Sequence, residues 1–184
     1  MRLILTRHGE TIENKNGMLP GHLPGILSEE GKNQAKKLAL RLKNEKIDEI
    51  YSSDLQRAKD TTNEILKFHK NILVHYTKEL RERNVGSYTG KYKKDIDMDN
   101  FPKDAETLEE MKNRAKKFLD SVYDNNKTIL FVCHSHLMRA FISVLFSSNI
   151  EEVEKPKNTA VTIIELKEDK NHKIILLNCI KHLN

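Results

Sequence analysis

The sequence predicts an α/β domain over residues 1–184, built on a mostly parallel sheet with an antiparallel edge, and three observations carry that expectation. Two short apolar runs, residues 3–5 and 128–133, suit strands covered on both faces. Amphipathic helical patterns separate the candidate strands, as in folds whose parallel strands are joined through helices. Only the last two candidate strands, residues 159–166 and 173–177, follow one another across a short polar turn, as an antiparallel hairpin at a sheet edge does.

Leu3, Ile4 and Leu5 form the first strand, which stops abruptly at Arg7, His8 and Gly9. In an open α/β sheet, ligands collect beyond the carboxyl ends of the strands, so Arg7 and His8 stand where such a fold places its chemistry. A guanidinium beside an imidazole suits the oxygens of phosphate or carboxylate; the plainer alternative is a strand that merely ends in polar residues. Gly9 lets the backbone turn or come close to a ligand. Residues 12–27 hold two prolines, three glycines and no period, which predicts a loop over the strand's end. Asn14 lies there, either as an amide donor to a phosphate oxygen or as an ordinary turn residue.

Ser28 reads as the N-cap of a helix with Ala35, Leu38, Ala39 and Leu42 inward. A strand over residues 47–53 leads to Ser53 or Asp54 as the cap of the next helix, whose stripe is Leu55, Ala58, Thr62, Ile65 and Leu66. Arg57 falls in its first turn, where a cation opposes the helix dipole; it suits a bound anion, or it pairs on the surface with Asp54 or Asp60. Residues 72–76 predict a third strand, and residues 79–90 a charged, glycine-punctuated loop. Within it, Glu82 is either a solvated surface acid or, beside a bound anion, a carboxyl of raised pKa able to donate a proton.

Residues 91–106 predict a variable loop or a broken helix. Thr107 and Glu110 make a capping box before Leu108, Met111, Ala115, Phe118, Leu119 and Val122, and Asn125 and Asn126 end that helix. The strand over residues 128–133 ends at His134, with Ser135 expected to cap a helix over residues 137–146 whose free amides face an anion.

The net charge of +5 comes from 32 Lys and Arg against 27 Asp and Glu, interspersed with one another along the chain. Without a basic block interleaved with aromatics, which make up 6% of residues, nucleic acid is not expected as a partner, whereas a small anionic substrate is. No stretch is apolar enough to predict a membrane span, and the N-terminus lacks a signal-peptide pattern. Two cysteines, Cys133 and Cys179, make no disulfide framework, so the expected compartment is the cytoplasm. The length predicts a single domain and leaves room for a homodimer.

Two strands ending in histidine, an arginine after the first and another in a helix's opening turn form a set that resembles the histidine phosphatase superfamily. The resemblance rests on Arg7-His8-Gly9-Glu10-Thr11 with Asn14, and on Gly21 and Leu27-Ser28-Glu29-Glu30-Gly31 with Gln34-Ala35. It continues through Ser52-Ser53-Asp54-Leu55-Gln56-Arg57-Ala58 with Thr61, Leu80-Arg81-Glu82 with Gly86, and Val132-Cys133-His134. It implies the phosphoglycerate mutase-like fold, a three-layer α/β/α sandwich. It further implies that His8 is the nucleophile and Glu82 the proton donor, while Arg7, Arg57 and His134 clamp the phosphoryl oxygens with help from Asn14. Gly21, Arg83 and Ser135 complete the expected substrate-binding set, and no metal or cofactor is expected. Where many relatives have glycine after the second histidine, this chain has Ser135 and His136. The segment 91–106 leaves little room for the cover found in mutases, and Asn158-Thr159-Ala160-Val161 resembles the phosphatase branch. A phosphomonoesterase is therefore expected. Mutase-type transfer, with Arg83 on a substrate carboxylate, is the alternative; a non-catalytic module that binds phospho-ligands is another.

Two rivals use the same stretch. Cys133 and Arg139 satisfy the bare spacing of a cysteine phosphatase, though no glycine lies between them to curl the backbone around an anion. His8, His134 and His136 could hold zinc only if the chain bends after the strand, because alternate strand residues face opposite ways.

Overall fold

Leu3 and Leu5 face one side of the first strand and Ile4 the other, and all three are completely buried. The same alternation recurs at Ile129 and Phe131 against Leu130 and Val132, so the sheet carries a core on each face. The computed structural model describes residues Met1–Asn184. Its strands are β1 (Arg2–Arg7), β2 (Glu49–Ser53), β3 (Leu73–Thr77), β4 (Thr128–Cys133), β5 (Val161–Glu165) and β6 (Lys173–Cys179), in the order β3-β2-β4-β1-β5-β6. The pairs β1·β4, β2·β4 and β2·β3 are parallel, whereas β5 runs antiparallel to β1 and β6.

The helices are α1 (Ile12–Lys15), α2 (Glu29–Leu42), α3 (Gln56–Leu66), α4 (Leu108–Val122) and α5 (Ser135–Phe146). Leu38, Ala39 and Leu42 of α2 pack with Ala58 and Ile65 of α3 on the face of Ile4 and Leu130. Met111, Ala115 and Phe118 of α4 pack with Leu137 and Phe141 of α5 on the opposite face. This is the expected α/β/α sandwich with an antiparallel edge. Because Leu5 and Phe131 are fully enclosed, truncating either to alanine costs about 2–5 kcal/mol.

Local chemistry departs from expectation at three places. Residues 12–27 are not all loop: the Thr11 side chain accepts the Asn14 amide and starts the one-turn helix α1. The α3 helix has Leu55 at its N-cap with no side-chain bond. Ser53 takes the Leu55 amide, and Asp54 instead receives Arg81 through two bonds of 2.6 Å. Ser135 opens α5 and His134 is its N-cap, so Ser135 is not the cap. Of the two readings of residues 91–106, the loop holds, with one 3₁₀ turn at Lys93–Asp95 and a bridge from Met18 to Tyr92. The capping box of Thr107 and Glu110 forms as expected.

Gly9 and Gly31 allow the close contact on which the site rests. A Cβ on Gly9 would lie 2.5 Å from the Gly31 carbonyl oxygen, and one on Gly31 would collide with the Glu10 backbone. Gly9 therefore serves backbone packing between the end of β1 and the start of α2. No helix is long and apolar enough to cross a membrane.

Candidate active site

Parallel pairing of β1 with β4 sets Arg7 opposite Cys133, so the next residue of each strand, His8 and His134, emerge side by side. Their ring centroids are 5.0 Å apart and the planes are inclined at 57°. Two histidines distant in sequence meet because their strands are neighbours at the centre of the sheet.

The His8 ring has one nitrogen committed to a carbonyl. Nδ1 lies 2.7 Å from the Gly9 oxygen, which can only accept, so Nδ1 carries the proton. Nε2 then carries a lone pair, and Arg57 Nε donates to it at 3.3 Å. Burial pushes the His8 imidazole well below its ordinary pKa, with Arg57 and Arg7 acting in the same direction. Neutral His8 therefore presents a nucleophilic Nε2. Its backbone is fixed as well: its amide donates to the Cys133 carbonyl, and the Asn158 side chain donates to its own carbonyl.

Arg57 is wholly buried, which excludes the surface pair with Asp54 or Asp60. Its guanidinium donates to the carbonyls of Gly21 at 3.0 Å, Leu23 at 2.6 Å and Pro24 at 3.3 Å. Burial lowers its pKa to about 10, which leaves it charged at neutral pH. A Cβ on Gly25 would sit 3.0 Å from Arg57 Cδ, so the loop glycine there admits the guanidinium. Gly21, at a φ of +50°, bends the same loop against Val85. Arg7 donates to the Pro156 carbonyl at 3.0 Å, and its Nε is buried without a partner.

Glu82 approaches from the opposite wall. Its carboxylate accepts the Arg83 amide at 3.0 Å and the His136 amide at 3.1 Å, and the His136 ring lies 3.7 Å away. The acceptor at the start of α5 is thus the protein's own carboxylate, where a free amide facing a ligand had been expected at His136. Burial alone would raise the Glu82 pKa, but His136 and the Arg83 amide outweigh it and hold the carboxyl well below its usual range. The raised pKa expected beside an anion has to come from that anion's charge, because the protein's own groups act the other way. His22 Nε2 lies 2.8 Å from the Glu82 carbonyl oxygen and steadies the loop from behind.

A cavity of about 90 Å³ opens between these walls, lined by Arg7, His8, Asn14, Gly21, Arg57, Glu82 and Ser135 among others. His134 is not part of that lining but packs against His8, fully buried, with both ring nitrogens unpartnered. Asn14 Oδ1 and Ser135 Oγ are buried and unpartnered too. With Arg7 Nε, these make five of the six unpartnered buried side-chain polar atoms in the protein, the sixth being Thr6 Oγ1. Such atoms are costly to bury; Arg7 Nε, one nitrogen of His134 and Ser135 Oγ are donors that an oxygen-rich ligand would satisfy, whereas Asn14 Oδ1 is an acceptor. Arg83 is the expected residue that does not join them. Its Nε donates to the Glu106 carbonyl at 2.7 Å and its guanidinium lies 4.0 Å over the Phe101 ring.

Met18, Lys93, Met98 and Lys155, none of them singled out by residue in the sequence, also line the cavity. No local motif marks them; only the Met18–Tyr92 bridge and the turn before Pro156 bring them to the mouth. A larger surface groove of about 710 Å³ lies behind the acid loop, lined by His22, Arg81, Glu106 and Arg114 among others, and neither strand-end histidine reaches it.

The two rivals fail on geometry. Cys133 is buried in the core under α5, and burial pushes its thiol far up, so no thiolate forms there. His136 faces Glu82 and does not converge with His134, and no group of three or more His, Cys, Asp or Glu is arranged to hold a metal ion.

Residues 3–179 match the model of the histidine phosphatase superfamily (branch 1). Phosphoserine phosphatase 1 of Hydrogenobacter thermophilus is 33% identical, over 100% of this chain and 94% of its own. Phosphoglycerate mutase-like protein 4 of Arabidopsis thaliana is 30% identical, over 98% of this chain and 86% of its own. The solved structure of Bacillus stearothermophilus YhfR superposes with a TM-score of 0.91 at 25% identity, covering 100% of this chain and 99% of that one. With the family model spanning nearly the whole chain and the strand-end histidines meeting as the family's pattern requires, this chain belongs to the histidine phosphatase superfamily (branch 1).

Proposed function

We propose that this protein hydrolyses a small phosphomonoester through a phosphohistidine formed on His8. The observation that carries the reading is a neutral His8, held with Nδ1 toward the Gly9 carbonyl, in a cavity also lined by Arg7, Asn14 and Ser135, with the unpartnered His134 ring packed against it. Nε2 attacks phosphorus in line; the N–P bond forms as the bond to the alcohol oxygen breaks, and Glu82 gives that oxygen a proton. Water then attacks the phosphohistidine, Glu82 takes the proton from water, and phosphate leaves with His8 neutral again. Covalent catalysis divides one displacement into two, each aligned by the same clamp.

Arg57 Nε serves as a latch in this scheme. At rest it donates to Nε2. When a phosphoryl group enters, the same N–H turns to a phosphoryl oxygen and frees the lone pair. Glu82 is a carboxylate at rest; the negative charge of the arriving ester raises its proton affinity, so it takes the proton of the ester monoanion on binding and passes that proton to the leaving oxygen.

Candidate substrates include sugar phosphates, phosphoglycerates, nucleotide precursors and ribazole phosphate. Relatives named for action on phosphoserine and on α-ribazole phosphate support a phosphatase of small metabolites. We place the enzyme in the cytoplasm as one domain, acting on neither nucleic acid nor membrane. Phosphate release across a phosphomonoester panel tests the reading, with His8→Ala as control and 3-phosphoglycerate followed for isomerisation. Release from several esters, lost in the variant, is expected. Isomerisation without release would establish a mutase, and binding without turnover a non-catalytic module.

A further inference from the structure

We infer that the preferred substrate carries a second anionic group, a carboxylate or another phosphate, on the alcohol it releases, and that Lys93 and Lys155 hold that group at the cavity mouth. The inference rests on the phosphomonoesterase reading and adds the class of alcohol.

The cations that line the cavity fall into two sets. Arg57 is anchored by three carbonyls and has its Nε to offer a phosphoryl oxygen in place of His8, and Arg7 lines the same cavity with His8. With His134, these two arginines match the three oxygens of one phosphoryl group. Lys93 and Lys155 line the same cavity and are surplus to that need. Most solvated lysines need no explanation. These two differ because they converge from separate loops on one confined space whose only lining carboxylate, Glu82, is engaged by two amides.

Neither ammonium pairs with any carboxylate of the protein. Their backbones are nonetheless fixed. Lys93 follows the Met18–Tyr92 bridge, and its amide donates to the Gly17 carbonyl. Lys155 precedes Pro156, whose carbonyl receives Arg7, and Arg139 holds the loop through the carbonyls of Ile150 and Val153. Desolvation lowers the Lys155 pKa, and Lys93 and Arg7 lower it further, a repulsion that an anion between them would relieve.

The remaining lining explains why the second anion lies close to the first. Met18, Leu19, Pro20, Val85 and Met98 supply apolar wall, and about 90 Å³ admits only a short connecting chain. Arg83, the residue expected to take a substrate carboxylate, is held instead by the Glu106 carbonyl and the Phe101 ring. The lysine pair, which does line the cavity, fills the role.

Three two-carbon esters test the inference: 2-hydroxyethyl phosphate with a neutral end, phosphoglycolate with a carboxylate, and ethylene glycol bisphosphate with a second phosphate. The wild type is expected to favour at least one anionic ester over the neutral one by about tenfold or more in kcat/KM. The ester it favours identifies the anion. In Lys155→Gln and Lys93→Gln that ratio falls by about tenfold, chiefly through KM, whereas Lys155→Arg keeps it. A packing defect would lower all three esters together and leave the ratio standing. A wild-type ratio near one, or a ratio unchanged in both glutamine variants, overturns the inference while hydrolysis of the neutral ester leaves the phosphomonoesterase reading intact. Failure to hydrolyse any of the three, or p-nitrophenyl phosphate, overturns both.

Discussion

The two histidines at the ends of β1 and β4 look alike in sequence and differ in what surrounds their rings. His8 has each ring nitrogen assigned, Nδ1 to the Gly9 carbonyl and Nε2 to Arg57, whereas His134 has neither. Both are buried and held neutral, His8 by burial with Arg57 and Arg7, His134 by burial with Arg57 and His8. One ring is therefore aimed before substrate arrives, and the other is completed only by a ligand. A nucleophile must have its lone pair directed at rest, while a group that donates to a transferred phosphoryl needs no partner until then.

Removing His8 gives the largest expected effect on that contrast. His8→Ala should lower phosphate release by at least about 10⁴-fold, because no other group can form the covalent intermediate. His134→Ala should cost about 10²–10³-fold in kcat with phosphoenzyme still formed, as for loss of one preorganised donor. Equal losses in the two variants, measured on p-nitrophenyl phosphate, would erase the distinction between the rings.

Arg57→Met should reduce kcat by about 10²-fold and also destabilise the fold by about 2–4 kcal/mol, read by urea denaturation. The second effect arises because the carbonyls of Gly21 and Leu23 lose their donor, while that of Pro24 keeps the backbone amide of residue 57. A variant that loses activity at full stability would show that Arg57 does not anchor the 21–24 loop. Glu82→Gln should slow an alkyl phosphate by about 10²-fold and p-nitrophenyl phosphate far less, since a good leaving group needs little protonation.

The smallest expected effect is on stability against pH. His8 and His134 have folded-state pKa values well below 6.5, so the unfolded chain binds their protons first as pH falls. Their contribution is intact above about pH 6.5 and is lost below it, at up to about 1.4 kcal/mol per pH unit for each ring until the folded values are reached. Chemical denaturation between pH 7.5 and 5.5 should show this slope in the wild type and a flatter one in His8→Asn with His134→Asn. Activity should show no acid limb centred on 6.5 from His8, which stays neutral through that range.

The fold was legible because its strands are apolar on both faces and its helices carry one apolar stripe, so Leu3–Leu5, the capping box at Thr107 and the stripe of Leu38 and Leu42 could hardly be misread. What escaped was chemistry decided by tertiary partners. Asp54 has the composition of a cap but goes to Arg81, and Ser135 has it too but sits inside the helix. The site residues on strand ends were legible for the same reason as the strands. Arg7, His8 and His134 sit at abrupt ends of apolar runs, whereas Lys93 and Lys155 reach the cavity through loop crossings that leave no periodic trace. Glu82 was legible as a loop acid, whereas the His136 amide that stabilises its charge in the absence of an anion comes from another element and left no local signal.

The most direct measurement is to trap the phosphoenzyme. Wild-type protein turning over p-nitrophenyl phosphate is quenched in alkaline denaturant, digested, and mapped for phosphorylated peptide. A base-stable, acid-labile phosphoryl group on His8, absent in His8→Ala, is the predicted result. Label on His134, Cys133 or Ser135, or steady turnover with none on His8, would contradict it.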